Sequence, residues 1–199
     1  MPDHLIVIRS GPTEYDLQGR IRGTLDVPLA AAGVAAAEEA ASLLAGRPPE
    51  AIVTSPDAAA REAAGIVARG CGLKARVLPL LGNLDQGLWQ GMLVDEIRCK
   101  QPRLYRQWQD NPWAVAPPEG ELLEDACLRV EESLEQLVRR HARGRVALVV
   151  PQPLDRVVRW LVSGASMGDL WDCEQSGSPV AELPLAAQWQ PAKRPPARV

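Results

Sequence analysis

The sequence predicts an α/β fold: a three-layer αβα sandwich with a mostly parallel sheet. Two observations carry this. Short, β-branched apolar runs alternate along the chain with longer stretches of helical periodicity. The runs are apolar throughout, as strands covered on both faces must be. In addition, 199 residues with 46% apolar content suit one domain with a full core.

HLIVI (4–8) reads as the first strand, stopped by polar residues and Gly11. Residues 31–45 read as an alanine-rich helix with Val34, Ala37, Ala41 and Leu44 near one face. AIVTS (51–55) is a second strand, followed by a helix opened by Pro56 and closed by Gly70. ARVLPL (75–80) is a third strand. Residues 121–142 give the cleanest helix: Leu123, Ala126, Cys127, Val130, Leu134, Leu137 and Val138 follow the spacing of one helical face. RVALVV (145–150) is a buried strand. Residues 153–163 are a helix with Leu154, Val157, Val158, Leu161 and Val162 on its stripe. A last pair of strand-like runs covers about 179–190. The expected domain is 1–190, and the proline- and arginine-rich end, 191–199, is expected to be a disordered tail.

The formal net charge of −3 implies no broad basic face, so nucleic acid is not an expected partner. Cys71, Cys99, Cys127 and Cys173 form no CxxC pair, which supports neither a zinc site nor a redox motif and fits a cytoplasmic protein. No metal and no other cofactor is expected. No apolar run approaches the roughly 18 residues of a membrane span, and the N-terminus lacks the pattern of a signal peptide.

Open α/β sheets bind ligands outside the carboxyl ends of their strands. The segments there are RSGPTEYD (9–16), SPDAAARE (55–62), LGNLDQGLWQG (81–91) and PQPLDR (151–156). Together they resemble the histidine phosphatase superfamily, in its phosphoglycerate-mutase-like branch. VIRSGPTEYDLQGRIRGTLDVPLAAAG is similar to the family's opening, apolar-apolar-Arg-His-Gly-Glu-Thr, then Gly-Arg, Gly, Asp-x-Pro-Leu and Gly. TSPDAAAREAA is similar to Ser-Ser-Pro-x-x-Arg-Ala-x-x-Thr-Ala, LGNLDQGLWQGM to Leu-x-Glu-x-x-x-Gly-x-Trp-Glu-Gly, and PPEGELLEDACLRV to a Pro-x-Gly-Glu-Ser helix start. ALVVPQPLDRVVRWLV is similar to the strand that ends in Ser-His-Gly. The matches run in family order over about 5–163.

The resemblance implies a phosphoglycerate-mutase-like fold and a phosphate-handling site. In the family a histidine takes the phosphoryl group, two arginines and a second histidine hold its oxygens, and a carboxylate protonates the leaving group. Here the first arginine is Arg9. The nucleophile's position holds Ser10, the second arginine's Ala59, the acid's Asn83 and the second histidine's Gln152. Serine lacks a basic nitrogen, and amides do not titrate. Asp16, where the family often has asparagine, is expected to repel phosphate. Frame residues such as Gly11, Gly33, Gly87, Trp89, Gly120 and Glu121 stay in place. The expectation is therefore a catalytically inactive member of the superfamily, a pseudophosphatase with a binding, scaffolding or regulatory role. Its partner would be a protein, such as an active paralogue, or a small polar ligand at Arg9, Ser10, Thr13, Asn83 and Gln152. Homodimerisation is implied by the resemblance alone. The alternative is a divergent phosphatase, or a Ser10-dependent hydrolase, with weak activity on a small molecule. The serine lacks a Gly-x-Ser-x-Gly setting, and no histidine in a motif can serve it. Asp16, Asp85 and Asp155 are the nearby carboxylates considered for that role.

Other residues carry two readings each. Arg9 binds an anion or pairs with an acid such as Glu121. A slip in register would bring Arg61 into the site in place of Ala59. Tyr105, Trp108 and Trp113, in the stretch the resemblance lays over the mouth of the site, form a partner surface or a lid packed on the domain. His4 and His141 read as structural.

Overall fold

A computed structural model describes residues 2–141, 143–168, 170, 178–185 and 189–191. The tail expected at 191–199 lies, from 192 on, outside the described residues. The elements run β1 (His4–Arg9), α1 (Glu14–Leu17), α2 (Ala31–Ala45), β2 (Ala51–Thr54), α3 (Ala58–Gly70), β3 (Ala75–Val77), α4 (Val94–Lys100), α5 (Pro102–Asp110), α6 (Leu123–Arg140), β4 (Arg145–Val150), α7 (Leu154–Ser163) and β5 (Val180–Pro184). Single 3-10 turns form at Pro79–Leu81 and Gly87–Trp89.

The five strands are ordered β3-β2-β4-β1-β5. β1, β2, β3 and β4 are parallel, and β5 joins the edge antiparallel to β1. Alternation along each strand sorts the core into two. Leu5, Val7, Val53, Val146, Leu148 and Val150 face α6 and α7. Ile6, Ile8, Ile52, Ala147 and Val149 face α2 and α3. On that second face alanines predominate (Ala37, Ala40, Ala63, Ala64), and small side chains let α2 and α3 lie close to the sheet and to each other.

The structure bears out the three-layer fold and refines its elements. The third strand is shorter than expected: after Val77 the chain turns at Pro79, whose missing N–H cannot extend the ladder. The clean helix spans 123–140 rather than 121–142, with His141 as its cap residue. On α2 the buried positions are Gly33, Ala37, Ala40 and Leu44, so the apolar face is turned from the expected one and Val34 and Ala41 are half-buried. Alanine content all round the helix left the phase undetermined. Of the expected final pair of strands, one is formed, 180–184; the second run falls partly on 186–188, outside the described residues.

The helices α1, α4 and α5 were not expected. α5 is mostly polar, but it buries Tyr105 and Trp108, and Trp108 meets Trp89 edge to face with ring centroids 6.4 Å apart. The 103–120 stretch thus packs on the domain: Trp113 also lies against Trp160, at 5.0 Å. Trp89 itself is fully buried, and its indole N–H donates to Gln101 Oε1 at 3.0 Å. No described helix is long and apolar enough to cross a membrane.

Candidate phosphate-handling site

The carboxyl ends of β1 and β4 lie side by side, and Ser10 N–H donates to Val150 O at 3.0 Å. Ser10 is fully buried, and its Oγ lies 3.5 Å from Gly11 O. Gly11 has φ +91°, a conformation glycine adopts without strain. Thr13 then caps α1. Its N–H and Oγ–H both donate to Asp16 Oδ2 at 2.7 Å, and Asp16 N–H returns to Thr13 Oγ1.

That cap fixes Asp16, and Asp16 fixes Arg22. Arg22 Nη1 lies 3.4 Å from Asp16 Oδ2, and its Nη2 donates to Gln152 O at 3.3 Å. Asn83 Nδ2 donates to the same Gln152 carbonyl at 3.2 Å and to Gly23 O at 3.0 Å. Gln152 O is therefore the point where three loops meet. The expected repulsion by Asp16 is corrected: its carboxylate is occupied by the cap and by a guanidinium.

A cavity of about 50 Å³ opens beside these groups, lined by Asp16, Arg20, Arg22, Gln86 and Gln152 with apolar Ile21 and Leu170 among its other walls. Arg22 and Gln86 are each 5% exposed. Among the described residues, Arg22 Nη1 and Gln86 Oε1 make no hydrogen bond although buried. Of the five residues expected to bind a ligand, Gln152 lines this cavity and Asn83 stands behind it. Thr13 acts through Asp16, Ser10 is enclosed beneath, and Arg9 turns elsewhere.

Arg9 lies with Nε 3.6 Å from Asp155 Oδ2, and Arg159 Nη2 lies 3.7 Å from the same oxygen. The expected partner Glu121 instead forms a bidentate pair with Arg129. Parity explains this: Arg9 shares the α7 face of β1 with Leu5 and Val7, where Asp155 opens α7. Burial pushes the Asp155 carboxyl above the ordinary range, outweighing the pull of Arg9 and Arg159 in the other direction. Ala59 sits buried in the first turn of α3. Arg61 does not substitute for it; it lies half-exposed, 3.6 Å from Asp26. Among the described residues no group of three or more His, Cys, Asp and Glu could hold a metal ion.

Arg22, Gln86 and Arg129 were missed in the sequence, and Asp155 was read as a nearby carboxylate but not as the partner of Arg9. A signal existed for Arg22: Arg20 and Arg22 flank Ile21 in a short extended stretch, so they share a side. Both line the cavity.

Comparison with known proteins agrees with this frame. The profile of the histidine phosphatase superfamily (branch 1) matches residues 5–186. The chain is 28% identical to phosphoserine phosphatase 1 of Hydrogenobacter thermophilus over 90% of its own length and 86% of that protein's. It is 33% identical to glucosyl-3-phosphoglycerate phosphatase of Mycobacterium tuberculosis over 67% of its length and 60% of the relative's. With a bifunctional protein of Mycobacterium tuberculosis it shares 30% identity, spanning 46% of that longer chain. Among solved structures, a mycobacterial glucosyl-3-phosphoglycerate phosphatase in complex with VO3 superposes with a TM-score of 0.77 at 26% identity, covering 85% of this chain and 86% of that one.

These relatives overturn the expectation of a catalytically inactive binding or regulatory protein, since the proteins it resembles are named as phosphatases. That expectation rested on four substituted positions and overlooked the arginine in the cavity. Protein binding gains no support from them either.

Proposed function

The chain belongs to the histidine phosphatase superfamily (branch 1), and from that membership we propose that it is a divergent phosphatase of low turnover acting on a small phosphomonoester. One observation carries the reading. A buried guanidinium, Arg22, lines a cavity at the carboxyl ends of β1 and β4, and its Nη1, paired with Asp16 Oδ2 at 3.4 Å, makes no hydrogen bond. Phosphoryl transfer depends chiefly on positioning and positive charge, and Arg22 supplies both. The relatives named for phosphoserine and for glucosyl-3-phosphoglycerate support a small phosphorylated substrate. The free thiols of Cys71 and Cys99 support a reducing cytoplasm as the place of action.

The geometry favours water over Ser10 as nucleophile. The serine hydroxyl faces Gly11 O, with no base hydrogen-bonded to it among the described residues, whereas Asp16 lines the cavity. Arg22 holds the phosphate oxygens, water forms the new P–O bond, and Asp16 accepts its proton on Oδ1, the oxygen outside the cap and the Arg22 pair. The ester P–O bond breaks, and the departing alkoxide takes a proton from solvent. Lacking a positioned general acid, worth about 10²–10⁴-fold, the reaction is slow.

The test is release of inorganic phosphate from p-nitrophenyl phosphate between pH 5 and 9. The wild type should exceed the uncatalysed rate, Arg22→Gln and Asp16→Asn should lose that excess, and Ser10→Ala should retain it. A wild-type rate equal to the blank, or activity that survives Arg22→Gln, would overturn the proposal. Activity that vanishes in Ser10→Ala would reject water as the nucleophile.

A further inference from the structure

We infer that this site is built for a phosphomonoester carrying a hydroxyl group close to the phosphate, and that Gln86 is the residue that selects it. The inference rests on the phosphatase reading for the placement of phosphate against Arg22, and adds what the rest of the ligand must be.

The cavity's polar wall makes two unmet demands. Arg22 Nη1 has Asp16 Oδ2 at 3.4 Å but makes no hydrogen bond, so it can take an anionic oxygen of a ligand. Gln86 Oε1 is an acceptor without one, in a side chain that is 5% exposed, and asks for an O–H or N–H. Asn83 Oδ1, three residues earlier in the same loop, is a second buried amide oxygen in that condition. Its amide nitrogen is spent on Gly23 O and Gln152 O. A buried acceptor left unmet is costly, so a ligand that brings a donor is favoured over one of the same shape that does not.

Charge decides between the two kinds of donor. The wall holds two guanidiniums, Arg20 and Arg22, against one carboxylate, Asp16. Asp16 is already engaged by Thr13 and by Arg22. Burying an ammonium beside two guanidiniums costs its hydration, whereas a neutral hydroxyl loses far less. Size sets the reach. The cavity is small, about 50 Å³, and suits a compact ligand with its hydroxyl one or two carbons from the phosphate. Ile21 and Leu170 leave the carbon skeleton between them an apolar wall.

Binding, which needs no turnover, tests this directly. Calorimetric titration of the wild type with 2-hydroxyethyl phosphate, propyl phosphate and 2-aminoethyl phosphate compares three ligands of nearly equal shape. The hydroxyl compound should bind roughly tenfold more tightly than propyl phosphate, as expected when a buried acceptor is met rather than stranded. In Gln86→Met, which keeps the volume and removes the acceptor, that preference should fall to near one. Equal binding of the hydroxyl and propyl compounds by wild type would overturn the inference without any variant. So would a preference that survives in Gln86→Met, or tighter binding of the amino compound. A hydroxyl preference in a protein that releases no phosphate would uphold this inference while refuting the phosphatase reading. Failure of inorganic phosphate and all three esters to bind would refute the site.

Discussion

Arg129→Met should cost about 3 kcal/mol of stability. From α6, Arg129 donates to both oxygens of Glu121, at 3.1 and 2.7 Å, and to the carbonyls of Leu80, Gly82 and Asn83 at 2.9, 2.6 and 2.9 Å. Each bond is worth about 1 kcal/mol net, more where a charge is involved. The pair is about one-fifth exposed, so water re-solvates part of what is stranded and the sum falls below that of a sealed network. Methionine retains the apolar stem, which isolates the lost hydrogen bonds from lost packing. Urea unfolding at pH 7 measures the effect as a shift in midpoint at constant slope. Arg129→Lys, able to meet one or two of the acceptors, should fall between. Because the carbonyl of Asn83 is one of those held, the variant should also weaken phosphate binding in the cavity. A stability loss under about 1 kcal/mol would refute the view that this guanidinium ties α6 to the 80–83 loop.

Three further outcomes can be measured in the same way. Gly33→Ala should destabilise, although alanine is the better helix former by about 1 kcal/mol, because its Cβ would strike Pro12 O and come within 2.8 Å of Leu29 Cδ2; a stabilised variant would contradict this. Asp155 has a raised pKa in the folded state, so it binds a proton more tightly folded than unfolded. Wild type should therefore gain stability relative to Asp155→Asn as pH falls from that raised value toward the ordinary aspartate range, and the opposite trend would reject the burial argument. Glu182 behaves in reverse. A hydrogen bond from Arg145 holds its pKa low, so its contribution is present above the ordinary glutamate range and lost as pH falls through the lowered value. Glu182→Gln should erase that acid-side loss, an effect of under about 1 kcal/mol for a side chain one-third exposed.

The central strands β1, β2 and β4 were legible because their runs are buried on both faces, and such runs admit few other readings. The order of frame glycines and Glu121 carried the resemblance and with it the fold. Phase on α2 was not legible, because a helix that is alanine on most sides gives periodicity little contrast. α5 was hidden by its polar residues: Tyr105 and Trp108 alone anchor it, and two aromatics three apart do not make a pattern. At the site, the residues that align with a known motif were found, while those that matter through contact were not. Arg22 is read as a cavity arginine only once the loops carrying Asp16 and Gln152 are brought beside it. Arg9 shows the converse. Its position was plain, but its partner was settled by which face of β1 it occupies, and that face belongs to Asp155 rather than to Glu121.

The contact between Gly11 and Gly33 has a consequence for how this protein can change. A Cβ on Gly11 would lie 2.7 Å from Gly33 O and 2.8 Å from Gly33 Cα, so the turn after β1 rests directly on the backbone of α2. The backbone at position 10 is thus located by a residue 23 positions away and not by its own side chain. Small substitutions at 10, beneath the cavity, leave the turn's coordinates in place; substitutions at 11 or 33 shift them. At position 10, Ala and Gly should accordingly melt close to the wild type, whereas any side chain at position 33 should lower the melting temperature.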